Sequence, residues 1–167
     1  FATLDVLVLS QGIVIYDRGE YTNAGVAHVI DVNLNSVMAC ALKFEKMLKA
    51  SRGALITVSS TAAFHSTRGN PAYNASKAGV VGLTRTLGDA WSRSGVRVNG
   101  IAPGLVDTKL TKVTTGNPQR LEASLKGIPL GRLGTPQDMA GVALFLASPL
   151  LAYVVGQTIP VDGGLIL

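Results

Sequence analysis

Four short apolar runs, rich in β-branched residues, are separated along this chain by longer stretches with helical periodicity. Leu4-Asp5-Val6-Leu7-Val8-Leu9 reads as a strand buried on both faces, the pattern of a parallel sheet. Ala54–Val58, Arg97–Ala102 and Gln157–Val161 are the other three. From Val26 to Ala50 apolar residues recur at helical spacing (Val29, Val32, Val37, Cys40, Ala41, Phe44, Leu48), which predicts one long helix ended by Gly53. Pro71 suits the first turn of a second long helix over Ala72–Ser94, with Gly95 as its cap. Thr135-Pro136-Gln137-Asp138 starts another that continues to Ala147, and Pro118–Lys126 is a shorter one. The segments 13–24, 61–71 and 103–116 read as polar loops. Strands that alternate with helices predict an α/β protein with a parallel sheet.

The chemistry lies at the end of the second run and the start of the helix after it. Ser59 and Ser60 close Ile56-Thr57-Val58-Ser59-Ser60, and Tyr73-Asn74-Ala75-Ser76-Lys77 opens the helix. Tyr73 and Lys77 are spaced i, i+4, so both lie on one helix face. An unperturbed tyrosine has a pKa of about 10. A neighbouring ammonium favours the phenolate and is expected to draw that value down. A serine hydroxyl alongside would hold a substrate oxygen, and the three together would protonate a carbonyl or deprotonate an alcohol. Taken singly, each is an ordinary residue: a half-buried tyrosine, a surface lysine, a strand-end serine.

These residues, with the blocks around them, resemble the short-chain dehydrogenase/reductase family. Asp31-Val32-Asn33-Leu34 is similar to the family segment whose asparagine completes a tetrad. Val96-Arg97-Val98-Asn99-Gly100-Ile101-Ala102-Pro103-Gly104 resembles its nicotinamide-side strand and loop. Arg132-Leu133-Gly134-Thr135-Pro136-Gln137-Asp138 and Val161-Asp162-Gly163-Gly164 match C-terminal signatures. The blocks stand in the family's order across nearly the whole chain.

The resemblance implies a catalytic set of Asn33, Ser60, Tyr73 and Lys77. The family's thirteen-residue spacing to Tyr73 selects Ser60 over Ser59. Tyr73 is the implied general acid and base, and Ser60 the holder of the substrate oxygen. Lys77 would tune Tyr73 and bond the nicotinamide ribose, and Asn33 would hold a water linking Lys77 to solvent. Cofactor contacts implied in the same way are Gly12, Tyr73, Lys77, Pro103, Gly104, Val106 and Thr108. The resemblance further implies NAD or NADP as cofactor, a small alcohol or ketone as substrate, and a homo-oligomer built on the two long helices, with Val80, Val81, Leu83 and Leu87 among their apolar residues.

Two departures qualify the likeness. The glycine-rich turn that cradles a pyrophosphate at a helix start is not found, and Gly131-Arg132-Leu133-Gly134 is too short and follows no strand. The chain therefore reads as strands 4 to 7 of the family's doubly wound, Rossmann-like sheet, forming one domain over 1–167. The first strand is left with a bare apolar edge. The family's Asn-Asn-Ala-Gly appears as Leu9-Ser10-Gln11-Gly12, and Asn23-Ala24-Gly25 reads as a loop or helix start rather than that motif. The alternative to an enzyme is a truncated remnant, catalytically inactive, that serves as a structural or interaction module.

Composition bounds the rest. A chain that is 47% hydrophobic and 15% charged has a buried core rather than disorder. The net charge of +5 is spread over scattered lysines and arginines without interleaved aromatics, so nucleic acid is not expected. The apolar stretch from Val142 to Val155, broken at Ser148-Pro149, is short for a membrane span, and no signal peptide is read at the start. Cys40, the single cysteine, excludes an internal disulfide and suits the cytoplasm. His28 and His65 have no partners at ligand spacing, so no metal is expected.

Overall fold

In the computed structural model, which describes residues 3–167, the apolar runs form one four-stranded parallel sheet. β1 is Val6–Leu9, β2 Ala54–Val58, β3 Arg97–Pro103 and β4 Thr158–Val161. Their order in space is their order in sequence, so each crossover advances the sheet by one strand. Ala54 pairs with Val6 on one side and Arg97 on the other, and Gly100 pairs with Thr158.

Helices cover both faces of β2 and β3. Alternate residues point to opposite faces. Leu55 and Val98 join Val37, Ala41 and Leu48 of one long helix and Val80, Leu87 and Trp91 of the other. Ala54, Ile56 and Ile101 point the opposite way, against Leu146 with Met139, Val142 and Ala143. β1 departs from the expected double burial. Leu9 is buried, but Val6 is 40% and Val8 46% exposed. That face of β1 is thus half open, and among the described residues no strand pairs with its outer edge.

The first long helix begins at Asn23, three residues before its apolar periodicity becomes visible. Thr22 caps it, its hydroxyl accepting from the Gly25 N–H, so Asn23-Ala24-Gly25 is a helix start. α1 (Asn23–Ile30) and α2 (Ser36–Ser51) are joined by a π turn, Asp31–Asn35, into one helix of 29 residues. By length and composition alone it is long and apolar enough to cross a membrane. In this fold its Val29, Val37, Ala41 and Leu48 are buried within the protein. The π turn puts Asn33 in the interior, fully buried. Single wide turns of this kind recur at functional sites.

α3 spans Pro71–Ser92, and Gly95, at φ +83°, turns the chain toward β3. Val80, Val81 and Leu87 are buried and Leu83 packs against the same cluster. Cys40 is half-buried. After β3, the segment expected as a loop forms a 3₁₀ turn (Lys109–Thr111) and a one-turn helix α4 (Lys112–Thr115), followed by α5 (Pro118–Lys126). α6 is Pro136–Ala147, opened by a reciprocal cap between Thr135 and Asp138. Its far end is held by Arg97, whose guanidinium donates to the carbonyls of Leu146 (2.6 Å) and Ala147 (2.8 Å). A cation there complements the helix dipole and fills two orphan acceptors. Replacing Arg97 with Ala is expected to cost about 2 kcal/mol. Urea unfolding checks it, and an unchanged midpoint would show the clamp to be dispensable.

Candidate active site

The site lies beyond the carboxyl ends of the strands, where open parallel sheets bind ligands. Tyr73 is the third residue of α3 and Lys77 stands one turn on. Lys77 is only 4% exposed. Its Nζ donates to the Val58 carbonyl at the end of β2 (2.9 Å) and lies 5.7 Å from the Tyr73 ring centre. The two adjacent serines divide their work. Ser59 is buried, and its hydroxyl donates to the Lys77 carbonyl (2.7 Å), tying helix to strand. The Ser60 hydroxyl stands near enough to the Tyr73 phenol to act on its proton, and its oxygen accepts from the Ala62 N–H (3.1 Å).

Asn33 reaches in from the π turn. Its Oδ1 accepts from the Ile13 N–H (2.7 Å), and its Nδ2 donates to the Ile13 carbonyl (2.9 Å) and to Ser76 Oγ (3.1 Å). It therefore binds the loop after β1 to α3. Gly12 explains why the approach is so close. A Cβ at that position would sit 3.2 Å from Lys77 Nζ and 3.6 Å from Asn33 Oδ1. Gly12, Asn33 and Lys77 thus meet at one point.

The loop after β3 carries the other expected residues. Thr61 Oγ1 donates to the Pro103 carbonyl (3.3 Å), linking the Ser60 loop to that of Pro103. A Cβ on Gly104 would fall 2.6 Å from that of Asp162, so packing against the turn after β4 already requires glycine there. In that turn, Asp162 accepts from the Gly164 and Ile166 N–H groups, which gives Asp162-Gly163-Gly164 a structural role. Val106 is buried and pairs with Gly134. Thr108 caps the 3₁₀ turn, in a reciprocal bond with Thr111, and is exposed. No hydrogen bond among the described residues joins it to Tyr73 or Lys77. His65 lies exposed on its loop. Among the described residues no three His, Cys, Asp or Glu side chains form a metal-binding group.

Two residues of the site had no motif to announce them. Glu20, in a 3₁₀ turn over Gly19–Tyr21, is fully buried. Tyr16 donates its hydroxyl to the Leu110 carbonyl (2.9 Å), joining the loop after β1 to the loop after β3. The segment 13–22 holds these two side chains through left-handed backbone at Asp17 and Arg18 (φ +55° and +61°). A polar, aperiodic stretch gives no sign of that from sequence.

The electrostatics correct one expectation. The Tyr73 phenol is raised rather than lowered. Burial is the main cause, the Ser60 hydroxyl acts against it, and Tyr16 and Glu20 add to the rise. Lys77 does not reverse this because its own ammonium is desolvated, and burial brings it from 10.5 down to about 8.

The donor set fits the nicotinamide-ribose end of a dinucleotide. Lys77 uses one of its three N–H donors within the protein, and the others remain for a ribose diol beside the Tyr73 hydroxyl. The pyrophosphate end has no such fit. An anion seeks an open helix start, yet Thr22, Asn117 and Thr135 fill those of α1, α5 and α6, and Glu20 fills that of α3.

A family model described as enoyl-(acyl carrier protein) reductase matches residues 1–166. The chain belongs to the short-chain dehydrogenase/reductase family. It is 38% identical to the 3-oxoacyl-[acyl-carrier-protein] reductase FabG of Chlamydia muridarum, over 99% of this chain and 66% of that protein. It is 40% identical to the 2-dehydro-3-deoxy-D-gluconate 5-dehydrogenase of Bacillus subtilis, over 96% of this chain and 64% of that one. The chain thus spans about two thirds of the length of the relatives it matches. Two solved structures extend the comparison. The gluconate 5-dehydrogenase of Burkholderia cenocepacia in complex with NADP and tartrate superposes with a TM-score of 0.93 at 30% identity, covering 98% of this chain and 65% of its own. The RhlG/NADP complex of Pseudomonas aeruginosa gives 0.93 at 34%, covering 100% and 68%. The four-stranded sheet is accordingly part of the family's Rossmann-like fold.

The buried ammonium makes a signed prediction. Between about pH 8 and 10.5 the unfolded chain holds the Lys77 proton and the folded chain has released it. Stability therefore rises with pH through that window, by about 3 kcal/mol. Tyr73, raised in the folded state, acts in the opposite sense only above 10. Urea unfolding at a series of pH values should show the rise in the wild type and not in Lys77→Met. An equal rise in both would place its origin elsewhere.

Proposed function

We propose that this chain is the nicotinamide-side, catalytic portion of an NAD(P)-dependent oxidoreductase acting on a carbonyl or secondary alcohol. The observation that carries the reading is the convergence of Tyr73, Ser60 and a nearly buried Lys77 at the carboxyl end of β2. The bound cofactor would supply or accept the hydride, and this chain's own residues would handle the proton. In reduction, the Tyr73 hydroxyl donates its proton to the carbonyl oxygen while Ser60 bonds the same oxygen. A phenol held above its ordinary value stays protonated at neutral pH and is ready as an acid. In oxidation the proton returns to Tyr73, and the positive fraction of Lys77 offsets the charge of the phenolate. Lys77 also bonds the ribose. Asn33 keeps the Ile13 loop against α3, and the reading gives it the water that links Lys77 to solvent.

Pro103, Gly104, Val106 and Thr108 would line the nicotinamide side, opposite Gly12. The relatives named above act on 3-oxoacyl carriers and on sugar acids, and substrates of either kind carry a carbonyl that this site would suit. NADP is the form bound in both solved relatives, so NADP(H) is the cofactor to test first, with NAD(H) alongside. The same reading takes the protein as a cytoplasmic homo-oligomer in which another segment or chain covers the edge of β1. Exposed apolar side chains remain on the first long helix, at Val26 and Leu42, and on α6 and just after it, at Leu144, Phe145, Leu150 and Tyr153.

A second reading, a catalytically inactive structural or interaction module, is favoured by one observation. Among the described residues the starts of α1, α3, α5 and α6 are already filled and offer no pyrophosphate cradle. A fluorescence titration with NADPH and NADH separates the two. The first reading expects binding that Tyr73→Phe with Lys77→Ala abolishes. It also expects Tyr73→Phe alone to slow ketone reduction by about 10²–10⁴-fold. Absence of binding by the wild-type chain would favour the module.

A further inference from the structure

The helix that carries Tyr73 is not capped by its own N-cap residue. Asn70 occupies that position and makes no cap bond to the helix. Its Nδ2 donates instead to the Ile15 carbonyl (3.0 Å) and to Glu20 Oε1 (3.2 Å). The cap comes from Glu20, fifty-three residues upstream, whose Oε2 accepts from the Tyr73 N–H (2.8 Å). Glu20 Oε1 also accepts from the Ile15 N–H (3.0 Å). A carboxylate with no solvent exposure is thus held by three donors and by the positive end of α3. One of those donors is the backbone of the proposed proton-transfer residue itself.

Resting on the proposed oxidoreductase reading, we infer that Glu20 is a positioning residue for Tyr73. Its carboxylate fixes the Tyr73 backbone at the first turn of α3 and ties the loop after β1 to that turn. The geometry gives it two effects that an ordinary cap lacks. It binds the loop that presents Tyr16 to the same helix turn, so Tyr16 and Tyr73 are set relative to one another. Its charge also adds, after burial and Tyr16, to the rise of the Tyr73 phenol. Tyr16 on the loop and Glu20 on the 3₁₀ turn raise the phenol, the Ser60 hydroxyl lowers it, and Lys77 on the same helix stands 5.7 Å from the ring centre. Glutamine at position 20 keeps the size but turns an amide N–H₂ toward a donor, so it removes both the charge and part of the cap.

Solution NMR of the 167-residue chain tests this without any cofactor, using tyrosine-labelled protein and amide exchange. In Glu20→Gln the Tyr73 amide should lose about tenfold in protection, the equivalent of one hydrogen bond. Its phenol should titrate at lower pH than in the wild type. Asn70→Ala loosens the same loop but leaves the carboxylate charged, and it should leave the phenol titration near the wild-type position. Equal shifts in the two variants, or no shift in a folded Glu20→Gln, would overturn the inference. If Glu20→Gln does not fold, acid titration of the wild type replaces it. The Tyr73 amide signal should then move with the same midpoint as the Glu20 carboxyl signal, and an amide that ignores that midpoint refutes the role. A failure of NADPH binding would sink the oxidoreductase reading while these signals still reported on Glu20.

Discussion

Housing the Lys77 ammonium is the constraint on which the rest of this structure depends. A cation that is 4% exposed needs partners or it must surrender its proton. It receives one acceptor, the Val58 carbonyl, and part of the cost appears as a pKa brought down to about 8. Much of the neighbourhood is arranged around it. Ser59 fixes the Lys77 backbone, Gly12 withholds a side chain that would press on Nζ, and Asn33 anchors the loop beside it from a π turn. The core supports this from below, with Val80, Leu87 and Trp91 seating α3 on Leu55 and Val98. A buried amine with unused donors is weak evidence for stability and stronger evidence for a site.

The parts that could be read from sequence were those with a period or a spacing. β2 and α5 begin and end where their apolar patterns and flanking Gly or Pro place them. Tyr73 and Lys77 share a helix face as i, i+4 requires. The choice of Ser60 over Ser59 came from family spacing alone, and the structure places Ser59 in a backbone bond and Ser60 beside the phenol. What could not be read depended on tertiary context. β1 has the composition of a doubly buried strand, but its burial depends on what lies over it. The π turn is one extra residue in a helical turn, invisible against the apolar periodicity on either side. Glu20 and Tyr16 sit in a segment without period, where left-handed Asp17 and Arg18 decide which side chains turn inward.

The sign of the Tyr73 perturbation shows the same limit. Proximity of an ammonium in sequence predicts a lowered phenol, but desolvation acts on both groups and raises one while lowering the other. The pair is therefore poised with the phenol protonated and the lysine near the middle of its titration at mildly basic pH. Such a pair suits proton donation to a carbonyl at neutrality. On the proposed reading, a ribose hydroxyl bonded to Lys77 would shift that balance.

On the proposed reading, the nicotinamide half of the site is preformed within this chain. Titration with reduced nicotinamide mononucleotide, which lacks the adenosine half, tests that claim most directly when followed by amide chemical shifts. Saturable shifts are expected at Gly12, Tyr73, Lys77, Gly104 and Val106, with their loss in Lys77→Ala. Shifts absent at saturating ligand, or scattered over surfaces remote from Tyr73, would contradict it.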